Sequence, residues 1–301
     1  MNKFKESLIM LKKGLLGFLA VLAAPFSIME VYANDILNDG KVGEVRRVPG
    51  DKEFKVCADS NNMPYSNDKG EGFENKIAEL LAADMGKELS YQYWFDRFGY
   101  LRNTLNAWRC DYLIGTNTTY DAVDTTKPYY RAGHVFIYRK DSGLDIKDFK
   151  SEDLRKVEIG LKDKSPAAVA LNDHDLMANA RPYRIQRDLT ESPGKLVQDV
   201  IDGVVDVAIE WGPIGGYYAK QSGVDLVVVP VPEYEQVKQT GKTYWNISAG
   251  VRKREAERRD EIEAVIMRNK DKILKILDDY GIPHAEPVFG SNLDGYKRHK
   301  N

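Results

Sequence analysis

Apolar segments with the pattern of β-strands alternate along this chain with segments that have the spacing of amphipathic helices. The first series starts with a strand at residues 54–58 and a helix over Phe73–Met85, whose apolar residues recur at i, i+3, i+4 and i+8. A strand at 89–95, a helix at 100–108 and a buried strand at 112–115 follow. This order predicts a parallel sheet with helical crossovers, and therefore an α/β fold.

A second series of the same kind begins at residues 157–161 and includes a buried strand at 204–209 and a helix at 213–221. Tyr244–Val251 then has the pattern of a strand that returns to the first series, and two helices follow it. We therefore expect two α/β lobes joined by a two-stranded hinge. Because ligands of open α/β sheets bind at the carboxyl ends of the strands, the cleft between the lobes is the expected site.

The limits of the two lobes follow from where each series begins and ends. The first lobe is expected to take residues 53–139 and 246–290, and the second lobe residues 140–245. One helix of the second lobe is predicted to begin at Ser192, because serine caps helices and the proline after it suits the first helical position.

The first 33 residues have the pattern of an export signal. Four lysines precede an apolar run over residues 14–24, and mainly small residues follow as far as Ala33. This run is much shorter than the about 20 residues that a membrane-spanning helix needs. We therefore expect a secretory signal peptide over residues 1–33, cleaved near Ala33-Asn34, with an uncleaved membrane anchor as the alternative.

The expected localisation is the periplasm, and no further membrane segment is expected after cleavage of the signal. Residues 34–52 are mainly polar and contain glycine, so we predict a flexible lead-in there. Residues 291–301 are polar and basic, and we predict a mobile tail.

Cys57 and Cys110 are the two cysteines of the chain. An exported protein can form disulfides, so this pair is a disulfide candidate that would close a loop of about 54 residues. Whether the two sulfur atoms can meet depends on the register of the strands beside them. Two buried free thiols are the alternative.

Charge and motifs exclude several classes of protein. The chain has 44 Lys and Arg against 46 Asp and Glu, so no basic excess indicates a nucleic-acid partner. Its four histidines lack metal-ligand spacing, and it has no CxxCH or nucleotide-binding motif, so we expect neither a metal site nor a tightly bound cofactor. The expected protein is non-catalytic, and an acid–base pair of Glu210 and Asp163 is the enzymatic alternative.

Several ordered segments carry a family resemblance. They are DSNNMPYS at 59–66, GFENKI at 72–77, TTKPYY at 125–130 and DVAIEWGP at 206–213. The set resembles the periplasmic solute-binding proteins of family 3, and within them the branch associated with quinoprotein alcohol dehydrogenases, to which the J proteins of methanol oxidation belong. The resemblance covers residues 53–288 and implies the bilobate type II periplasmic-binding-protein fold.

This branch implies a role rather than a reaction. A member acts in the assembly, activation or electron-transfer complex of a methanol dehydrogenase that uses pyrroloquinoline quinone (PQQ). The implied partners are therefore that methanol dehydrogenase and its cytochrome c. Transient contact of the cleft with PQQ is left open, because nothing in the sequence supports it. A small-solute receptor of a transport or sensing system is the alternative function.

The sequence departs from the amino-acid receptors of this fold where they hold the ligand carboxylate. Those receptors carry an arginine shortly after the third strand, whereas residues 116–123 of this chain contain neither Arg nor Lys. In the second lobe, Glu210 and Trp211 stand where the receptors place an aspartate for the ligand amine. We therefore expect a cleft that binds free amino acids poorly.

Polar and aromatic residues that follow the predicted strands are the candidates for lining the cleft. An acidic and a large aromatic residue there would face it, although Trp211 can equally pack against the next helix. Asparagine and threonine can bind a ligand or stabilise turns, and Ser165 can bind an anion or merely cap its helix. The candidates are Asn61, Asn62, Tyr65, Phe95, Thr116, Asn117, Thr118, Ser165, Glu210 and Trp211.

Two segments have the composition of a surface. Phe95, Arg97 and the aromatic pair at 129–130 suit a protein interface, with core packing of about half of the rings as the alternative. The basic run at 252–259 is predicted to be a solvated helix start rather than a docking patch, because glutamates interleave with its arginines.

Overall fold

The computed structural model describes residues 50, 52–96, 99–185, 191–233 and 242–289. The predicted signal peptide, nearly all of the predicted lead-in and the predicted tail lie outside the described residues. In the part of the chain that is described, no helix is long and apolar enough to cross a membrane.

Strands and helices alternate over the described residues as the sequence pattern predicts. The strands are β1 (Glu53–Ala58), β2 (Asn61–Asn62), β3 (Ser66–Asn67), β4 (Glu88–Tyr93), β5 (Leu113–Asn117), β6 (Asp124–Thr125), β7 (Tyr130–Arg139), β8 (Ile159–Lys162), β9 (Ala180–Tyr183), β10 (Val207–Trp211), β11 (Leu226–Pro230) and β12 (Tyr244–Val251). The α-helices are α1 (Phe73–Met85), α2 (Tyr100–Asn103), α3 (Pro166–Asp173), α4 (Lys195–Ile201), α5 (Gly212–Gln221), α6 (Ala256–Arg268) and α7 (Lys270–Asp279).

The first lobe is built on a parallel pair of strands, β1 and β4, with α1 as the crossover between them. A single parallel bridge from Val56 to Tyr112 continues the pair towards β5. α1 ends at Gly86, whose φ of 62° lies in the left-handed region that favours glycine. Apolar side chains of α1, α6 and α7 share one core with Phe54 and Tyr112, so the last two helices of the chain complete its first lobe.

β7 runs from one lobe into the other and has different partners in its two halves. Residues 130–133 pair antiparallel with β12, whereas residues 134–139 pair with β10 and with β11. β12 continues into the first lobe, where it pairs with β5 and β6. Two strands therefore join the lobes, which confirms the bilobate α/β fold class. The residue limits that we assigned to the lobes stay a prediction.

The second lobe carries helices on both faces of its sheet. β10 lies between β7 and β8, and β9 pairs parallel with β8. Side chains of β7 alternate between the two faces, as in any strand. Val135 and Ile137 pack in a core with α4 and α5, whereas Phe136 and Tyr138 pack in another core with α3. Burial on both faces explains why this strand is almost continuously apolar.

Two predicted helices differ from the structure. The helix predicted at 100–108 is limited to the single turn of α2, because the Thr104 hydroxyl bonds back to that turn and Trp108 has a φ of 59°. The helix predicted to begin at Ser192 starts three residues later. There, Ser192 Oγ accepts the backbone N–H two residues further on, which makes a turn before the helix.

Cys57 and Cys110 form a disulfide, with their Cα atoms 5.3 Å apart. It joins the carboxyl end of β1 to the segment before β5, beside the bridge between Val56 and Tyr112. Both cysteines are buried. The predicted pairing is therefore confirmed, and the alternative of two free thiols is wrong.

α5 of the second lobe packs directly on α7 of the first. A Cβ atom on Gly216 would lie 2.2 Å from the carbonyl oxygen of Gly281, so this approach requires glycine. Lys220 Nζ donates hydrogen bonds of 3.0 Å to the carbonyl oxygens of Asp278 and Asp279, at the end of α7 where positive charge is favourable. The structure thus holds the two lobes in contact.

Candidate functional site

A cavity of about 480 Å³ lies against the carboxyl ends of β1 and β5. Trp211, the last residue of β10, is the contribution of the second lobe to its described wall. Ligands of α/β sheets bind at strand ends of this kind, so the cavity is the candidate functional site. We refer to it as the first cavity.

A second cavity of about 360 Å³ lies at the boundary between the lobes. Asp59, Asn62 and Asp96 line both cavities, so the two are neighbours. The second lobe contributes Glu191 and Tyr218 to this second cavity. The cleft therefore continues from the first cavity along the interface of the lobes.

A hydrogen bond between the lobes holds Trp211 at the first cavity. The indole Nε1–H of Trp211 donates to the hydroxyl oxygen of Tyr65 at 2.6 Å. The Trp211 ring also meets the rings of His134 and Trp245 edge-on, each with centroids 5.5 Å apart. Burial lowers the pKa of His134 to about 4, so its imidazole is neutral at pH 7 and packs as an aromatic ring.

All the charged residues among the described lining of the two cavities are acidic. Asp59 and Asp96 line both, Glu74 lines the first, and Glu191 lines the second. No Lys, Arg or His occurs in the described part of either wall, and Arg97 lies outside the described residues. The described walls therefore offer no cation for a bidentate pair with a ligand carboxylate.

Asp59 is a positioned carboxylate in the loop after β1. It accepts the backbone N–H of Asn61 at 2.9 Å and that of Asp96 at 2.7 Å. Its own carbonyl oxygen accepts the Ser66 hydroxyl at 2.8 Å. Asp59 is 7% exposed and lines both cavities. These hydrogen bonds fix the position of its side chain and of the loop at the cavity wall.

Glu74 lies in the first turn of α1 and reaches the wall of the first cavity. Its carboxylate lies beside Gly115 of β5, where a Cβ atom would be 2.0 Å from Glu74 Oε1. No other described residue donates a hydrogen bond to this carboxylate or forms an ion pair with it. Burial, and to a lesser degree the nearby Asp96, raises the pKa of Glu74 to about 8.

Replacing the acid by its amide, Glu74→Gln, is expected to stabilise the protein at pH 7.5 and to leave its stability unchanged at pH 4. Between the ordinary pKa of 4.5 and the raised value of about 8, the unfolded chain has released the proton that the folded chain keeps. Stability therefore falls as pH rises through this window. We expect a gain of about 4 kcal/mol for the amide at pH 7.5, measured by urea unfolding at both pH values.

The matched control is Glu79→Gln, on the exposed face of the same helix, where the carboxylate pairs with Lys76. This variant is expected to differ from the parent by less than about 0.5 kcal/mol at either pH. An equal effect of Glu74→Gln at pH 4 and pH 7.5 would contradict the raised pKa.

The structure brings seven of the ten candidate cleft residues to the two cavities. Whether these seven residues bind a ligand stays a prediction. Asn62, Tyr65, Thr116, Asn117 and Trp211 line the first cavity, and Asn61, Asn62 and Phe95 line the second.

The other three candidates line neither cavity. The Thr118 hydroxyl donates to the carbonyl oxygen of Asn246 at 2.9 Å and lies 2.7 Å from the Ser248 hydroxyl, so it connects strands. Glu210 is 1% exposed and pairs with Lys162 at 3.1 Å. Ser165 Oγ is buried and has no hydrogen-bond partner among the described residues, so it does not cap α3 through its side chain.

Sequence reasoning missed Glu74, Asp59 and Asp96 as cavity residues. An acid in the first turn of a helix indicates favourable interaction with the helix dipole, so Glu74 gave no signal of burial. Asp59 follows a predicted strand directly, a position that can face the cleft. The aromatic side chains of Tyr100 and Tyr130 also line the first cavity and were not among the candidates.

The fold and the cleft define a two-lobed binding protein of the solute-receptor class. The chain belongs to the bacterial extracellular solute-binding proteins, family 3, whose family model matches residues 54–282.

Curated relatives support this assignment along most of the chain. Protein MoxJ of Methylorubrum extorquens is 31% identical over 281 residues, which cover 88% of this chain and 90% of the relative. Protein MoxJ of Paracoccus denitrificans is 28% identical over 245 residues, which cover 76% of this chain and 88% of the relative.

Solved structures are similar in fold and in sequence. MxaJ from Methlophaga aminisulfidivorans has a TM-score of 0.69 at 31% identity and covers 77% of this chain and 100% of its own. The periplasmic binding protein XoxJ from Methylobacterium extorquens has a TM-score of 0.65 at 31% identity, with coverages of 78% and 100%. An ancestral cationic amino acid solute-binding protein has a TM-score of 0.61 at 21% identity, which shows the shared fold alone.

Proposed function

We propose that this chain is a non-catalytic periplasmic accessory protein of a methanol dehydrogenase that uses PQQ. It acts in the assembly, activation or electron-transfer complex of that enzyme, by contact with the dehydrogenase or its cytochrome c. The observation that carries this proposal is 31% identity over most of the chain to proteins named MoxJ, MxaJ and XoxJ. The family resemblance of the sequence segments implies the same role.

The described walls of the cleft support a departure from amino-acid receptors. No Lys or Arg is present there to hold a ligand carboxylate, so the ordinary ligands of such receptors lack their main ionic partner. The disulfide between Cys57 and Cys110 supports an oxidising compartment such as the periplasm.

Exposed aromatic side chains at the cleft are the surface that we assign to protein contact. Trp94, Phe95 and Tyr120 are 37%, 53% and 46% exposed. Phe95 also lines the second cavity, and Tyr120 lines the first. Aromatic residues of this kind contribute strongly to binding when a partner covers them.

The proposed role needs no tightly bound cofactor, and the residues of the cleft do not fit PQQ. That quinone carries several carboxylates, whereas the charged side chains of the described cavity walls are acidic. Like charges in a partly buried site repel strongly. Contact with the quinone is therefore not part of the proposal.

Binding of purified methanol dehydrogenase and of its cytochrome c to the full chain tests the proposed role. We expect a complex with one of the two, measured by titration calorimetry. Phe95→Asp is expected to weaken it at least about tenfold, because a charge replaces an apolar contact at the interface. Met177→Asp, at a residue that is 46% exposed and lines neither cavity, is the control and is expected to change the affinity less than twofold.

Failure of both proteins to bind would contradict the role, and equal weakening by the two variants would contradict the assigned surface. A small-solute receptor of a transport or sensing system is the second candidate, favoured by the 480 Å³ cavity next to Trp211. Under that function, affinity purification from periplasm and membranes recovers a permease or a sensor kinase in place of the dehydrogenase.

A further inference from the structure

We propose that the cleft binds a small organic cation, an amine that carries no carboxylate, with Glu74 and Asp59 as its counter-charges. This ligand class does not rest on the accessory role, because the acidic residues of the first cavity imply it whether or not a protein partner binds.

Other buried carboxylates in the described chain are compensated, Asp59 by backbone N–H donors and two more by cationic partners. Asp111 pairs with Arg252 at 2.7 Å, and Glu210 pairs with Lys162 at 3.1 Å. Such pairing is the rule, because an ionised carboxylate removed from water is costly unless a positive charge or hydrogen bonds compensate it. Glu74 departs from this rule, since no described residue supplies it with either.

The position of Glu74 shows that the fold makes room for this uncompensated group. The absence of a side chain at Gly115 allows the carboxylate to lie against β5 in the cavity wall. Its oxygen atoms therefore meet the cavity rather than the protein core. A cation that enters the cavity would supply the missing charge, as Arg252 does for Asp111.

The uncharged part of the wall suits an organic cation better than a metal ion. The rings of Tyr65, Tyr100, Tyr130 and Trp211 line the first cavity, and aromatic faces attract ammonium groups. Over the described residues, no three His, Cys, Asp or Glu side chains are placed to hold a metal ion. A volume of about 480 Å³ also exceeds the needs of a bare ion and admits a short aliphatic amine.

The acidic residues of the cavity wall also indicate that the ligand carries no carboxylate. A ligand carboxylate would approach Asp59 and Asp96 with no described Lys or Arg in the wall to receive it. Like charges in a site of low dielectric repel each other. The chemistry of the cavity therefore selects an amine against the corresponding amino acid.

Cadaverine and lysine form a matched pair of probes, because lysine is cadaverine with one added carboxylate. Titration calorimetry with the full chain at pH 7 is expected to show that cadaverine binds at least tenfold more tightly than lysine. Glutarate is expected to show no binding. Glu74→Gln is expected to weaken cadaverine binding at least tenfold, whereas Glu79→Gln is expected to change it less than twofold.

A second readout identifies Glu74 as the counter-charge. Because its pKa is about 8 in the empty cavity, a bound cation is expected to displace its proton at pH 7. The measured enthalpy then depends on the ionisation enthalpy of the buffer in the parent and is independent of it in Glu74→Gln. Urea unfolding of the variant confirms that weaker binding is not loss of the fold, since we expect the amide to be more stable.

Four outcomes would overturn the proposal. These are lysine binding as tightly as cadaverine, glutarate binding, absence of cadaverine binding, and equal effects of the two glutamine variants. None of them bears on binding of the dehydrogenase, so the ligand class and the accessory role can fail separately.

Discussion

Loss of the disulfide between Cys57 and Cys110 is expected to lower the free energy of unfolding by about 4 kcal/mol, because the bond restricts the unfolded chain across a sequence separation of 53 residues. In the folded protein, Cys110 is fully buried and Cys57 is 4% exposed. Reductant is therefore expected to act after unfolding rather than on the native state. Urea titrations equilibrated with and without reductant measure the difference.

The double variant Cys57→Ala with Cys110→Ala is the control for this prediction. It is expected to unfold at the same urea concentration with and without reductant, close to the midpoint of the reduced parent. If the reduced parent unfolds at the same urea concentration as the oxidised protein, the disulfide does not stabilise the protein by restricting its unfolded chain.

Long apolar patterns in the sequence were sufficient to predict the architecture. β12 was predicted with its observed limits, Tyr244–Val251, as the strand that returns to the first series. α1 was predicted with its observed limits, since its apolar spacing is regular and Gly86 ends it. Residues 100–108 have similar spacing, yet the helix ends at Asn103, where the Thr104 hydroxyl donates to the Tyr100 carbonyl oxygen.

The candidate site was predictable in position but not in charge. Strand ends identified Asn62, Tyr65, Thr116 and Asn117 as cavity residues, because position along a strand is a local property. Which acids lose their water depends on packing between distant elements. Glu74 reaches the cavity because β5 presents Gly115 to it, and neither residue reveals that contact in the sequence.

The basic run at 252–259 also shows that burial caused by long-range contacts is not visible in the local sequence. Interleaved glutamates predicted a solvated helix start, and that prediction is wrong for Arg252, which is 5% exposed. Its guanidinium lies 4.1 Å from the centre of the Trp108 ring and donates hydrogen bonds to the carbonyl oxygens of Leu105 and Cys110. Arg252, directly after β12, pairs with Asp111 in the segment before β5, and this contact between distant parts of the chain buries the arginine.

Replacement of that arginine, Arg252→Met, is expected to lower the free energy of unfolding by about 3–5 kcal/mol, which is typical when one partner of a buried ion pair is removed. Arg252 Nη2 lies 2.7 Å from Asp111 Oδ1, and the Asp111 side chain is 1% exposed. Methionine keeps much of the side-chain volume but leaves the Asp111 carboxylate in the core without this cation. Urea unfolding at pH 7 measures the change.

Lys140→Met is the matched control, because Lys140 and its partner Asp225 are 66% and 73% exposed and their pair is expected to contribute less than about 0.5 kcal/mol. Adding Asp111→Asn to Arg252→Met is expected to recover part of the lost stability, since the buried charge of Asp111 is then removed. If Arg252→Met and Lys140→Met cost the same, the buried pair does not stabilise the junction of β12 with the disulfide-linked segment. If the double variant is as unstable as Arg252→Met, the loss arises from the other contacts of Arg252, with the Trp108 ring and with the carbonyl oxygens of Leu105 and Cys110, rather than from the Asp111 carboxylate.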